Sequence, residues 1–148
     1  MRAVVQRVTR AAVSVAGQPI SAIGPGLLVL LGLGRDDTEA EADWLIQKLL
    51  ALRIFPDTAG KMNRSVTDTG GGLLVVSQFT LYGTLEKGTR PSFSDAMPPA
   101  EAEQLYRQFM VKLRAATALP VAEGRFAADM QVELVNDGPV TILFDRNK

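Results

Sequence analysis

From Leu73 to Gly83 the chain reads LLVVSQFTLYG, an apolar run that turns polar at Ser77, Gln78 and Thr80. Thr80 is the nucleophile candidate by residue type, but a hydroxyl of high pKa needs an adjacent base. The chain contains no histidine and no cysteine. Ser-His-Asp and Cys-His arrangements are therefore excluded, and a metal could find only carboxylates and carbonyls. Lys87 or Glu86 could serve as base only if the following loop folded back. Oriented backbone N–H groups need no titratable partner, and an oxyanion contact of that kind contributes ~2.7–4 kcal/mol to a transition state. The composition thus favours backbone donors around Ser77 to Thr80. If the strand continues, Val75, Ser77, Phe79 and Leu81 form one row and Val76, Gln78, Thr80 and Tyr82 the other. The plain alternative is a strand leaving the core, with its polar groups meeting solvent or backbone.

A second stretch, VNDGPVT, places Gly138 and Pro139 between two apolar runs. Asp-Gly-Pro between strands reads as a turn, and an arbitrary X-Pro bond is cis in only ~5–6% of cases.

The elements that must position these groups fit one domain, residues 1–148. A chain of this size buries roughly 68–70% of its unfolded surface and supports a core unaided. Sixteen basic residues balance sixteen acidic ones, so no global field draws the protein to nucleic acid. Any RNA must meet a local patch, for which Lys61 and Arg64 in one loop and Lys87 and Arg90 in another are candidates, unless they are merely solvated. Arginines interrupt the opening MRAVVQRVTR, and the run LLVLLGLG is too short for a membrane span. A soluble, cytoplasmic protein is expected.

RAVVQRVTRAAVSVAG alternates loosely and is Val-rich; with QPISAIG and LLVLLGL it predicts three strands, the third buried and central. Thr38 and Glu41 have capping-box spacing ahead of Ala42, Leu45, Ile46 and Leu49, which predicts a helix. LRIF and GLLVVSQFTLY read as strands. PPAEAEQLYRQFMVKLRAA predicts a second amphipathic helix, with Leu105, Phe109 and Leu113 on one face. MQVELVNDGPVTILFD reads as two strands joined at Asp137, Gly138 and Pro139. The expected class is α+β: a single domain with a curled, partly barrel-like mixed or antiparallel sheet flanked by two main helices.

SQFTLYG and NDGPVT, together with MRAVVQRVTRA, GPGLLVLLG, KMN, RPSF and MQVELVNDGPVT, resemble the D-aminoacyl-tRNA deacylase (D-tyrosyl-tRNA deacylase) family across essentially the whole chain. The resemblance implies a cytoplasmic homodimer without a cofactor. It would hydrolyse the ester linking a D-amino acid, or glycine, to the 3′-terminal adenosine of tRNA. Ser77, Gln78, Phe79 and Thr80 match the motif lining the site for that adenosine and the aminoacyl carbonyl. The implied chemistry is substrate-assisted, through the ribose 2′-hydroxyl.

Gly138 and Pro139 match the family's Gly-cisPro dipeptide, which enters the partner subunit's site and excludes L side chains. Arg7 matches a residue that holds this dipeptide's orientation. Phe126 and Met130 match apolar pocket residues, although core packing also accounts for both. Ala127 stands where many relatives have glycine, and Gly83 where alanine is common. Two other readings stay open from the residues alone: a non-catalytic dimer binding an RNA 3′ end, and a Thr80-dependent hydrolase of small esters.

Overall fold

A computed structural model of the chain describes residues 1–146. Eight strands and three α-helices build it: β1 (Arg2–Val15), β2 (Gln18–Ile23), β3 (Gly26–Gly32), α1 (Glu39–Ala51), β4 (Phe55–Pro56), β5 (Met62–Arg64), α2 (Val66–Thr69), β6 (Gly72–Ser77), α3 (Pro99–Ala116), β7 (Val121–Glu123) and β8 (Met130–Asp145). The main sheet runs β2-β1-β3-β6-β7, with β8 on the other edge of β1. β1 pairs antiparallel with β2, β3 and β8, whereas β3–β6 and β6–β7 are parallel. The sheet curls until Ser21 on β2 donates its hydroxyl to the Glu123 carbonyl on β7 at 2.7 Å. The result is the expected mixed, nearly barrel-shaped sheet with helices against it. No helix among the described residues is long and apolar enough to cross a membrane.

Period-2 alternation divides two cores. On β3 and β6, Leu27, Val29, Leu31, Leu73 and Val75 face the helices, while Leu28, Leu74 and Val76 fill the barrel. α1 and α3 cover the first face with Leu45, Leu49, Leu105, Phe109 and Leu113. α1 starts where Thr38 predicts, its backbone N–H donating to Glu41 at 2.8 Å to complete the capping box.

The loose alternation of β1 has a physical cause. Ala3 and Val5 face the helices, yet Ala11 and Val13 face the barrel. One extra β1 residue between Val8 and Arg10 shifts the register against β8, and an inserted residue moves every later side chain to the opposite face. β8 makes the same change. Gln6 pairs with Thr141 and Val8 with Asn136, so Asp137 to Val140 bulge out opposite Arg7 alone. Met130, Val132 and Leu134 then point into the barrel and Ile142 and Phe144 toward the helices.

Three expectations change. The tail is one long strand with a bulge, because both arms pair with the same β1, and is not two strands joined by a turn. LRIF contributes only Phe55 and its following proline to a two-residue strand, which pairs with β5 inside the expected loop. The SQFT strand stops at Ser77, and Phe79–Tyr82 form a 3-10 turn. The two-row pattern therefore ends at Ser77.

Candidate functional site

At the end of β6 the Gln78 N–H donates to the Leu31 carbonyl at 2.8 Å, the last ladder bond before the chain turns. Phe79 and Thr80 then open the 3-10 turn, where the first N–H groups have no intrahelical acceptor. The turn aims Phe79 outward, 59% exposed, with its ring edge-on to Phe93 at 5.0 Å between centroids. The Gln78 side-chain amide donates to the Thr80 hydroxyl. That bond turns the threonine toward its own motif.

Ser77, Gln78 and Phe79 form one wall of a cavity of ~680 Å³. Its floor is buried and apolar, made by Leu31, Leu33, Val76, Met97 and Ala102, and its rim includes the exposed Arg35, Phe93 and Ala127. Phe126 and Met130 also line it. Phe126 packs on Tyr106, whose hydroxyl donates to the Val75 carbonyl at 3.3 Å. Burial, then the charge of Glu123, pushes the Tyr106 phenol up, so it stays a neutral donor behind the pocket. Among the described residues no Asp, Glu, Lys, Tyr or Thr side chain lines the cavity, and Arg35 is its single charged group. Thr80 lies outside the lining, exposed.

The segment after the 3-10 turn leaves the pocket and returns to it. Thr84 and Ser92 exchange two backbone bonds of 2.9 Å, Gly34 bridges to Ala96, and Met97 N–H reaches Leu33 O at 3.0 Å. Lys87 and Arg90 ride on this arm. Lys61 and Arg64 belong to the β4–β5 region and line no part of the cavity. A Cβ on Gly83 would stand 3.0 Å from the Phe93 ring, so the missing methyl lets Phe93 seat against Phe79.

Gly138 and Pro139 are not in the cavity wall of their own chain. They sit in the exposed β8 bulge, joined by a cis peptide bond. Gly138 has φ of +143°, and a Cβ there would approach Val140 Cγ2 to 2.7 Å. Only glycine fits that conformation and space. Arg7, its side chain 11% exposed, donates Nε to the Asp137 carbonyl at 2.9 Å and Nη1 to the Ile54 carbonyl at 2.6 Å. The structure thus gathers the candidate residues other than Thr80 into two groups, a pocket group and an Arg7–Gly138–Pro139 group.

Sequence reasoning missed Arg35, Leu33, Met97 and Ala102 as pocket residues. They come from three separate segments and share no motif, so only the cationic residue that ends the apolar run LLVLLGLG carried any signal.

A family model described as D-Tyr-tRNA(Tyr) deacylase matches residues 4–145. The D-aminoacyl-tRNA deacylase of Desulfitobacterium hafniense (strain DSM 10664 / DCB-2) is 57% identical over 148 residues, covering 100% of this chain and 99% of its own. That of Variovorax paradoxus (strain S110) is 61% identical over 142 residues, covering 96% and 97%. Among solved structures, the c-Myc DNA unwinding element binding protein superposes with a TM-score of 0.93 at 48% identity, covering 98% of each chain. On this evidence the chain belongs to the D-Tyr-tRNA(Tyr) deacylase family.

Proposed function

We propose that the protein hydrolyses the ester of D-aminoacyl-tRNA, and of glycyl-tRNA, releasing free amino acid and tRNA. The observation that carries the mechanism is a cavity walled by Ser77, Gln78 and Phe79 in which no side chain among the described residues can act as a base. Water must then be activated from elsewhere, and the terminal ribose 2′-hydroxyl lies next to the scissile bond. Water attacks the ester carbonyl and the Phe79 and Thr80 N–H groups receive the developing oxyanion. The 3′-oxygen of the ribose leaves and takes a proton. Donors fixed in a dry apolar site are worth far more than the same groups in water. Ser77 and Gln78 hold the terminal adenosine and the carbonyl, while Phe126 and Met130 shape the pocket.

Chirality is filtered by exclusion. The Gly138 and Pro139 carbonyls of a second copy close over the substrate's α-carbon and leave room for hydrogen but not for an L side chain. Glycine, with no side chain, passes the same filter, and one pocket accepts many D-residues. A homodimer is supported by the outer edge of β8, which pairs with no strand among the described residues, the exposed dipeptide bulge on it, and Leu143, 74% exposed on the same strand. An unpaired edge of that length is a template for another chain. Arg7 positions the bulge. Cytoplasmic location fits a substrate of this kind.

Matched D- and L-aminoacyl-tRNA, incubated with the protein, test the proposal. Rapid loss of the D-ester with the L-ester intact is expected; equal rates for the two, or none for either, would contradict it.

A further inference from the structure

Arg35 is the cation of the pocket, and neither the SQFT nor the Gly-Pro group explains it. Its backbone is fixed: Arg35 N–H donates to Asp95 O at 3.0 Å, and Gly34 N–H to the Asp37 carboxylate at 2.6 Å. One guanidinium nitrogen, Nη2, donates to the Ser94 carbonyl. Five other arginines are held in ion pairs: Arg2 with Asp145, Arg7 with Asp137, Arg10 with Glu133, Arg107 with Glu103 and Arg114 with Glu123. Arg35 forms no ion pair among the described residues. A pre-positioned guanidinium with unused donors, exposed at the rim of an otherwise uncharged cavity, is a receptor for an anion.

We infer that Arg35 is a positioning residue that binds the 5′-phosphate of the terminal nucleotide, and so sets how deeply the ester enters the pocket. This rests on the functional reading above. The chemistry favours a phosphodiester for two reasons. The cation stands on the rim with the exposed Phe79 and Phe93 rings, where nucleic acid must approach, and not on the buried floor, where an amino-acid side chain would go. A planar fork also matches two phosphate oxygens at once. The other anion available is the carboxylate of an acidic D-residue, which the test separates.

The experiment compares 3′-O-D-tyrosyl-adenosine with its 5′-monophosphate, and the D-aspartyl pair likewise, on the intact protein and on Arg35→Ala and Arg35→Lys. The intact protein should prefer the 5′-phosphorylated esters roughly tenfold in kcat/KM, mostly through KM. Arg35→Ala should erase that preference, bringing the phosphorylated esters down to the level of the unphosphorylated ones, and Arg35→Lys should restore part of it. On charged tRNA, Arg35→Ala should reduce the slope of log affinity against log salt by ~0.7, as expected for one lost phosphate contact.

Equal loss on phosphorylated and unphosphorylated esters would overturn the inference, as would no loss on either, or a loss confined to the aspartyl pair. Equilibrium binding of the non-hydrolysable 3′-amide analogues, with and without 5′-phosphate, separates the two claims. If no ester is cleaved but the phosphate preference depends on Arg35, the functional reading fails and the phosphate site stands. If the esters are cleaved and binding ignores the phosphate, the phosphate site fails alone.

Discussion

Arg7 and Asp137 meet across the β1–β8 bulge, with Arg7 Nε 2.9 Å from the Asp137 carbonyl and 3.6 Å from its carboxylate. The same guanidinium holds Ile54 O, so a nearly buried cation ties three chain segments around Gly138. Arg7→Ala leaves these carbonyls without their donor and should cost about 1–3 kcal/mol of stability. The bulge loses its fixed orientation as well, so deacylation of D-esters should fall further than the stability loss explains. Chemical denaturation alongside deacylation rates checks both, and unchanged rates would detach Arg7 from the site.

Thr80 offers a sharper distinction. Its hydroxyl is tied to the Gln78 amide and lies outside the cavity lining, while its backbone N–H is the group given a role. Thr80→Ala keeps that N–H and should hold kcat within about tenfold, well short of the 10²–10³ lost with an oxyanion donor. Near-complete inactivity in a folded variant would restore the threonine nucleophile.

Ala127 lines the rim with φ of +63°, a left-handed conformation that disfavours any Cβ. Glycine removes the steric penalty and gains unfolded-state freedom, two effects of opposite sign. The first is larger at positive φ, so Ala127→Gly should stabilise by about 0.5–1 kcal/mol. Thermal unfolding reads the change; a lower melting temperature would show the strain to be absent.

Tyr82 and Tyr106 set an alkaline limit. Burial raises both phenols above the usual 10.0, and Asp37, which accepts from Tyr82 at 3.3 Å, adds to the shift at that residue. Folded phenols stay protonated where unfolded ones ionise. Stability from this source is complete below about pH 10 and is lost as pH rises beyond it. Urea unfolding at pH 8.5 and at pH 10.5 to 11 should show that decline, and it should be shallower in Tyr82→Phe.

The elements with strong local signals were legible. The Thr38 capping box, the helical spacing of Leu105, Phe109 and Leu113, and the buried run of β3 all fold as their pattern dictates. The SQFT and Gly-Pro candidates came from resemblance, since nothing in an isolated Asp-Gly-Pro separates a turn from a bulge. The strand through SQFT failed because Thr80, Leu81 and Tyr82 have β-propensity, while the 3-10 turn is fixed by tertiary contacts such as the Gln78 N–H bond to Leu31. The two-strand tail failed because Asp-Gly-Pro has the composition of a turn, whereas both arms pair with β1 and the bulge changes only the face their apolar residues meet. Arg35 was missed because its partners are distant in sequence.

The central claim is that the pocket of one chain is completed by the Gly-Pro bulge of another. Subunit mixing tests it with two folded variants: Phe79→Pro, which removes an N–H donor at the start of the 3-10 turn, and Gly138→Ala, whose Cβ meets Val140. Each alone should be inactive on D-aminoacyl-tRNA. Mixed and exchanged one to one, half of the pairs would join an intact pocket to an intact bulge, restoring about a quarter of wild-type activity from a symmetric dimer. A mixture that stays inactive while mass spectrometry shows mixed dimers would contradict the two-chain site.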